Sequence, residues 1–189
     1  MIRACAIALV AAFLAGCTAN IAGHPAAGST TASPATPVVA RELSGACPLL
    51  SGADLARAVD SKTPVATDER PRLEEASGLV TYTCHYRNEG QVVAFGALSV
   101  VFAPGKGGLE ASGIEGATRQ KIQVEPISGV GDLAATYTER DNDDKRGITA
   151  TKRLGPDSVV IFLSANTPIP DTVTSRLPDL ARAVLTQIV

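Results

Sequence analysis

Few residues in this chain have the type and spacing that chemistry requires. Gly129-Val130-Gly131-Asp132 offers two close glycines and a carboxylate, the beginning of a loop that could cradle phosphate. Such a loop needs a third glycine at fixed spacing and a helix behind it, and neither follows. The segment is expected to be a tight turn in which Asp132 accepts backbone N–H bonds. Gly105-Lys106 lacks the upstream glycine and the following Ser or Thr of a nucleotide-binding loop. His85 is the only histidine outside the N-terminal low-complexity stretch that holds His24. A Ser-His-Asp mechanism would have to be built on His85, and the sequence has no Gly-x-Ser-x-Gly elbow. In an alternating strand, His85 is expected on the face opposite Cys84. Asp141 to Asp144 concentrates acidic side chains without the alternating ligand spacing or terminal Glu of a calcium loop, and is expected to be a solvated hairpin tip. Glu74-Glu75 lies in a polar stretch with nothing to drive two carboxyl pKa values apart. No catalytic residue, cofactor ligand or metal ligand is assigned, and the chain is expected not to be an enzyme.

Cysteine gives the stronger signal. Met1 to Gly16 reads as a secretory signal, with Arg3 ahead of an apolar run from Ala4 to Leu14 and small residues behind it. That run is about eleven residues, against roughly 20 for a bilayer-spanning helix. Leu14-Ala15-Gly16-Cys17 resembles the bacterial lipobox, a leucine and two small residues before the cysteine that is modified. The resemblance implies that Cys17 receives a diacylglyceryl thioether and becomes the first mature residue. The protein would then be anchored through that lipid on the extracytoplasmic face of the cell membrane, since burial of acyl chains is worth about 0.8 kcal/mol per CH2. Cys5 leaves with the signal and Cys17 is acylated, so Cys47 and Cys84 remain as one pair in an oxidising compartment. A disulfide between them is expected, adding about 4 kcal/mol in the chain-entropy account. A metal site on these two thiols with His85 is the rival; it lacks close Cys-x-x-Cys spacing and a fourth ligand.

Composition and patterning set the frame that positions these residues. Three divisions are expected: the signal peptide over 1–16, the lipidated cysteine and a disordered tether over 17–44, and one domain over 45–189. The tether is rich in Ala, Gly, Ser, Thr and Pro and cannot bury enough surface to offset the entropy of ordering. Thr30, Thr31, Ser33 and Thr36 beside prolines also have the composition of an O-glycosylated stalk; a bare spacer accounts for them at least as well. Beyond it, Ser51 is expected to cap a helix from Gly52 to Asp60. Residues 61–77 read as a loop containing Pro64 and Pro71. Leu79 to Tyr86 and Gln91 to Phe102 read as a hairpin, followed by a weak helix over Leu109 to Gly116. Strands are expected over 121–126, 133–138, 147–154 and 158–164, with a polar loop over 141–146. A last helix, capped by Asp171 or Thr172, carries Val173, Leu177, Leu180, Ala181, Val184, Leu185 and Ile188 at helical spacing; Pro178 would kink its first turns or delay its start. The class is α+β: a single domain with an antiparallel β-sheet and helices packed on one face.

The lipobox, the tether, Cys47-Pro48-Leu49-Leu50 before a capped helix, Tyr82-Thr83-Cys84-His85-Tyr86, the Gly129-Val130-Gly131-Asp132-Leu133-Ala134 segment and the closing Leu-rich helix together resemble an actinobacterial, mycobacterial-type lipoprotein family of unknown function. The extracellular sensor domains of some membrane-anchored serine/threonine kinases look similar in outline. The resemblance implies a location and a fold type and carries no activity with it. Formal net charge is -2, there is no basic stripe, and aromatic residues are limited to three Tyr and four Phe, so nucleic-acid binding is not expected. The expected function is a non-enzymatic envelope module that binds a protein, glycan or lipid. The alternative is a small-ligand or lipid carrier with a cavity between sheet and helices, motivated by the strand from Gln91 to Phe102, which is apolar on both faces. A hydrolase ranks behind both.

Overall fold

Short exposed strands, invisible to hydropathy, complete one edge of the sheet on which this domain is built. The structure, a computed structural model, describes residues 38–58, 62–89, 96–107, 114–116, 119, 121–139, 142–165 and 175–189. The strands are β1 Val65–Asp68, β2 Arg72–Glu74, β3 Leu79–Arg87, β4 Gly96–Ala103, β5 Lys121–Ile127, β6 Leu133–Glu139, β7 Asn142–Leu154 and β8 Asp157–Ala165. They form one open antiparallel sheet ordered β1-β3-β4-β8-β7-β6-β5, with β2 also paired to β3. Among the described residues, the helices α1 Gly52–Ala58 and α2 Leu177–Gln187 and the 3-10 turns Ala40–Glu42 and Cys47–Leu49 accompany it. The α+β class is as the sequence pattern leads one to expect.

Three departures have physical reasons. The stretch 61–77, expected as a loop, contains β1 and β2. Both are exposed along their length, so no apolar alternation marks them; the free edge of β3 specifies them, through Asp68 opposite Cys84 and Leu73 opposite Val80. β7 begins at Asn142, inside the expected polar loop, because backbone pairing with β6 continues through Thr138–Arg146 and Glu139–Asn142 beyond the apolar rows. Residues 38–44, expected in the tether, pack on the domain. Val38 pairs in parallel with Ile188, and Ala40 is buried.

Helix α2 starts at Leu177 with Pro178 in its first turn, where a missing N–H leaves no bond unmade. Asp171 and Thr172, the expected caps, lie outside the described residues, as do Gln91–Phe95 of the expected hairpin and Cys17. Of the weak helix over 109–116, Ile114–Gly116 is described and is helical.

Period-two alternation assigns the faces. Cys84, Leu98, Leu163 and Ile148 form one cross-strand row, and Tyr82, Val100, Ile161 and Ala150 the next. Both rows are buried, and α2 adds Leu177, Leu180, Ala181, Val184 and Leu185 to the same core. Lys152 Nζ reaches from β7 to the Leu185 and Ile188 carbonyls at 2.9 and 2.5 Å. A cation there satisfies carbonyls that the end of a helix leaves free and opposes its negative pole. The Gly129–Asp132 turn behaves as its composition implies. Gly129 and Gly131 have positive φ, and a Cβ on Gly131 would come within 2.1 Å of the Thr151 carbonyl oxygen. The Asp132 carboxylate accepts the Arg153 N–H at 2.6 Å.

Candidate functional site

Cys47 and Cys84 are joined by a disulfide, 2.05 Å between sulfurs and 4.9 Å between Cα atoms. Cys84 is fully buried at the centre of β3; Cys47 opens a 3-10 turn. The bond fastens the segment leading into α1 to the sheet, and two further contacts repeat the attachment. Asp68 Oδ1 accepts the backbone N–H groups of Ala46 and Cys47 at 2.8 and 2.9 Å. Gly45 makes room for that carboxylate, since a Cβ there would meet Asp68 Cγ at 2.5 Å. Tyr86 Oη donates to the Leu50 carbonyl at 2.7 Å. Ser51 Oγ then accepts the Asp54 N–H at 3.1 Å and caps α1, as its position ahead of the apolar face implies.

The side-chain donors of Cys47, Asp68 and Cys84 lie within 4.8 Å of one another. Metal binding by cysteine needs thiolate, and both sulfurs here are bonded to each other. His85 is not among the three. It lies on the opposite face of β3, where its Nε2 is 2.9 Å from Glu69 Oε1. Its partner there is a carboxylate. On that same second face, Thr83 and Ser99 hydroxyls are 3.3 Å apart. Thr149 Oγ1 is buried there with no hydrogen-bond partner.

A second cluster closes the end of the sheet where β4 and β7 finish and β8 begins. Asp157 Oδ2 accepts from Arg41 Nε and a terminal guanidinium nitrogen at 3.1 and 2.6 Å. Its Oδ1 accepts the Gly105 N–H at 2.7 Å. The Gly105 amide, followed by the Arg41 guanidinium, holds the Asp157 carboxyl below the usual carboxylate range against its partial desolvation. Beside this ion pair lies a groove of about 180 Å³ lined by Val39, Ala40, Phe102, Leu154 and Val189. The Arg41 guanidinium stands 5.9 Å over the Phe102 ring.

Sequence reasoning joined Cys47 to Cys84 and put His85 on the far face. It missed Asp68, Glu69, Arg41 and Asp157. Asp68 and Glu69 sat in a stretch without strand periodicity, and Arg41 in one with tether composition. Gly155-Pro156-Asp157 has turn composition, and nothing local encodes that the Asp157 carboxylate reaches 116 residues back to Arg41. The Glu74 carboxylate, considered for paired acid chemistry, accepts the Ser77 hydroxyl within its own turn.

No family model matches the chain, no curated protein matches it, and no solved structure matches its fold.

Proposed function

We propose that this protein is a membrane-anchored extracytoplasmic lipoprotein, acylated on Cys17, whose folded part is a non-enzymatic binding or sensor-like module of the cell envelope. The Cys47–Cys84 disulfide carries the reading. Disulfides persist in oxidising compartments outside the cytoplasm, and this one takes up both cysteines that lie beyond the lipobox-like segment. Among the described residues no helix is long and apolar enough to cross a membrane. The resemblance to actinobacterial lipoproteins points the same way.

Fractionation joined to intact-mass measurement tests it. The mature chain is expected in the membrane fraction, beginning at Cys17 and heavier by a diacylglyceryl group, and Cys17→Ser should release it. Recovery from the cytosol, with Cys47 and Cys84 both open to alkylation, would sink the proposal. Turnover of a model ester or peptide that disappears in His85→Ala would remove its non-enzymatic part.

A further inference from the structure

The apolar surface left uncovered by this fold is unevenly placed. Six large apolar residues are exposed among those described: Val39, Val65, Leu73, Val124, Leu133 and Val189. Four of them gather at one end of the sheet. Leu73 lies opposite Val80, whose other partner is Phe102 near the end of β4. Leu133 begins β6, and Val39 and Val189 line the groove with Phe102 and Leu154. Val65 sits at the opposite end, beside Arg87.

The same end receives the chain from the tether. Val38 N–H donates to the Gln187 carbonyl at 2.6 Å and Val189 N–H to the Val38 carbonyl at 3.0 Å, so Val38 is pinned beside the groove. Only the 20 residues 18–37 separate it from Cys17. Charges of both signs surround this end: Arg41, Arg72 and Lys106 against Glu42, Glu74 and Asp132. A single charge sign therefore does not select the partner, whereas apolar side chains at a rim suit an interface where water gives way to acyl chains. Exposed apolar residues scattered singly need no explanation; here they collect where the anchor must lead.

We infer that the end of the sheet bearing Val39, Leu73, Leu133 and Val189, with the groove between Phe102 and Leu154, rests on the surface of the lipid bilayer to which the protein is tethered. The inference builds on the proposed acylation of Cys17. It fixes the orientation of the domain: the β1 end, with Val65, faces away from the membrane.

Single environment-sensitive fluorophores on the full acylated chain in vesicles test this, placed through Val39→Cys, Leu73→Cys, Leu133→Cys or Val189→Cys, with Val65→Cys as the matched exposed control. With Cys17 acylated and Cys47 bonded to Cys84, each added thiol is the one that labels. Labels at the first four positions are expected to shift to the blue and be quenched by lipid-borne quenchers, at low and high salt alike, while the Val65 label stays in water. Circular dichroism checks that each variant is folded. An intact mass on the same sample separates the two ideas. A lipid on Cys17 with all labels quenched equally, or none, overturns the orientation and leaves the anchor standing; a bare Cys17 overturns both.

Discussion

The Tyr86 hydroxyl donates a 2.7 Å hydrogen bond to the Leu50 carbonyl, two positions along β3 from the cysteine that binds Cys47. Burial, reinforced by the negative charges of Asp68 and Asp54, pushes the Tyr86 hydroxyl well above its ordinary range. The folded state thus holds this proton more tightly than the unfolded chain does. Its contribution to stability is complete below about pH 10, the unfolded value, and falls as pH rises further. Tyr86→Phe should lower stability at neutral pH by about 1–3 kcal/mol, because the buried Leu50 carbonyl loses its donor. It should also soften the alkaline loss, as read by denaturant unfolding at stepped pH.

Cys47 and Cys84 are 37 residues apart. Replacing both by serine should lower unfolding free energy by about 4 kcal/mol on the chain-entropy account. Urea unfolding of the double variant should coincide with that of the reduced native chain. A variant as stable as the oxidised protein would show that Asp68 and Tyr86 hold this corner alone.

Asp157 gathers three segments: Arg41 before the domain core, Gly105 after β4, and its own turn into β8. Its carboxyl is held below the ordinary range, so the stability it supplies is present above the unfolded carboxyl range and lost as pH falls through the folded value. Asp157→Asn should flatten the acid limb of the stability curve and leave the alkaline limb as it was. An acid limb identical to that of the native protein would contradict this role.

Thr149 carries a fully buried hydroxyl with no partner, on a central strand between Ala135 and Phe162. Valine keeps the shape and removes the desolvated polar group. Thr149→Val should therefore raise stability by about 1 kcal/mol. A loss of that size in thermal or urea unfolding would mean the hydroxyl is satisfied after all.

On the edge strand β5, Gln123 has φ of 48° where two residues, Gln123 and Val124, face Tyr137 between the Ile122 and Glu125 pairings. Side chains in this region carry about 1–2 kcal/mol of backbone strain, heaviest for branched ones. Gln123→Val should destabilise by about that amount, and Gln123→Gly should be neutral or slightly stabilising despite losing the Thr138 contact. Equal effects of the two substitutions would argue against backbone strain at this bulge.

Much of this architecture was legible because alternation and helical spacing report burial directly. β3, β6 and β8 and the core face of α2 follow from where Val, Leu, Ile and Tyr recur. β1 and β2 were not legible, since a strand exposed along its length is specified by its neighbour's free edge and not by its own side chains. The Cys47–Cys84 pair was legible by counting cysteines. Arg41–Asp157 and Tyr86–Leu50 were not, because each joins a polar group to a partner far away in sequence, and no local pattern encodes a tertiary hydrogen bond.

The parallel pairing of Val38 with Ile188 has a mechanical consequence. Tension drawn along the segment before Val38 meets the Gln187 and Val189 hydrogen bonds first and the Arg41–Asp157 pair next, before the disulfide and the sheet carry load. This corner works as a fuse. In a tweezers experiment gripping the chain ahead of Val38, it should yield as a small early step of about a few residues' contour, and the body of the domain should stay intact until much higher force.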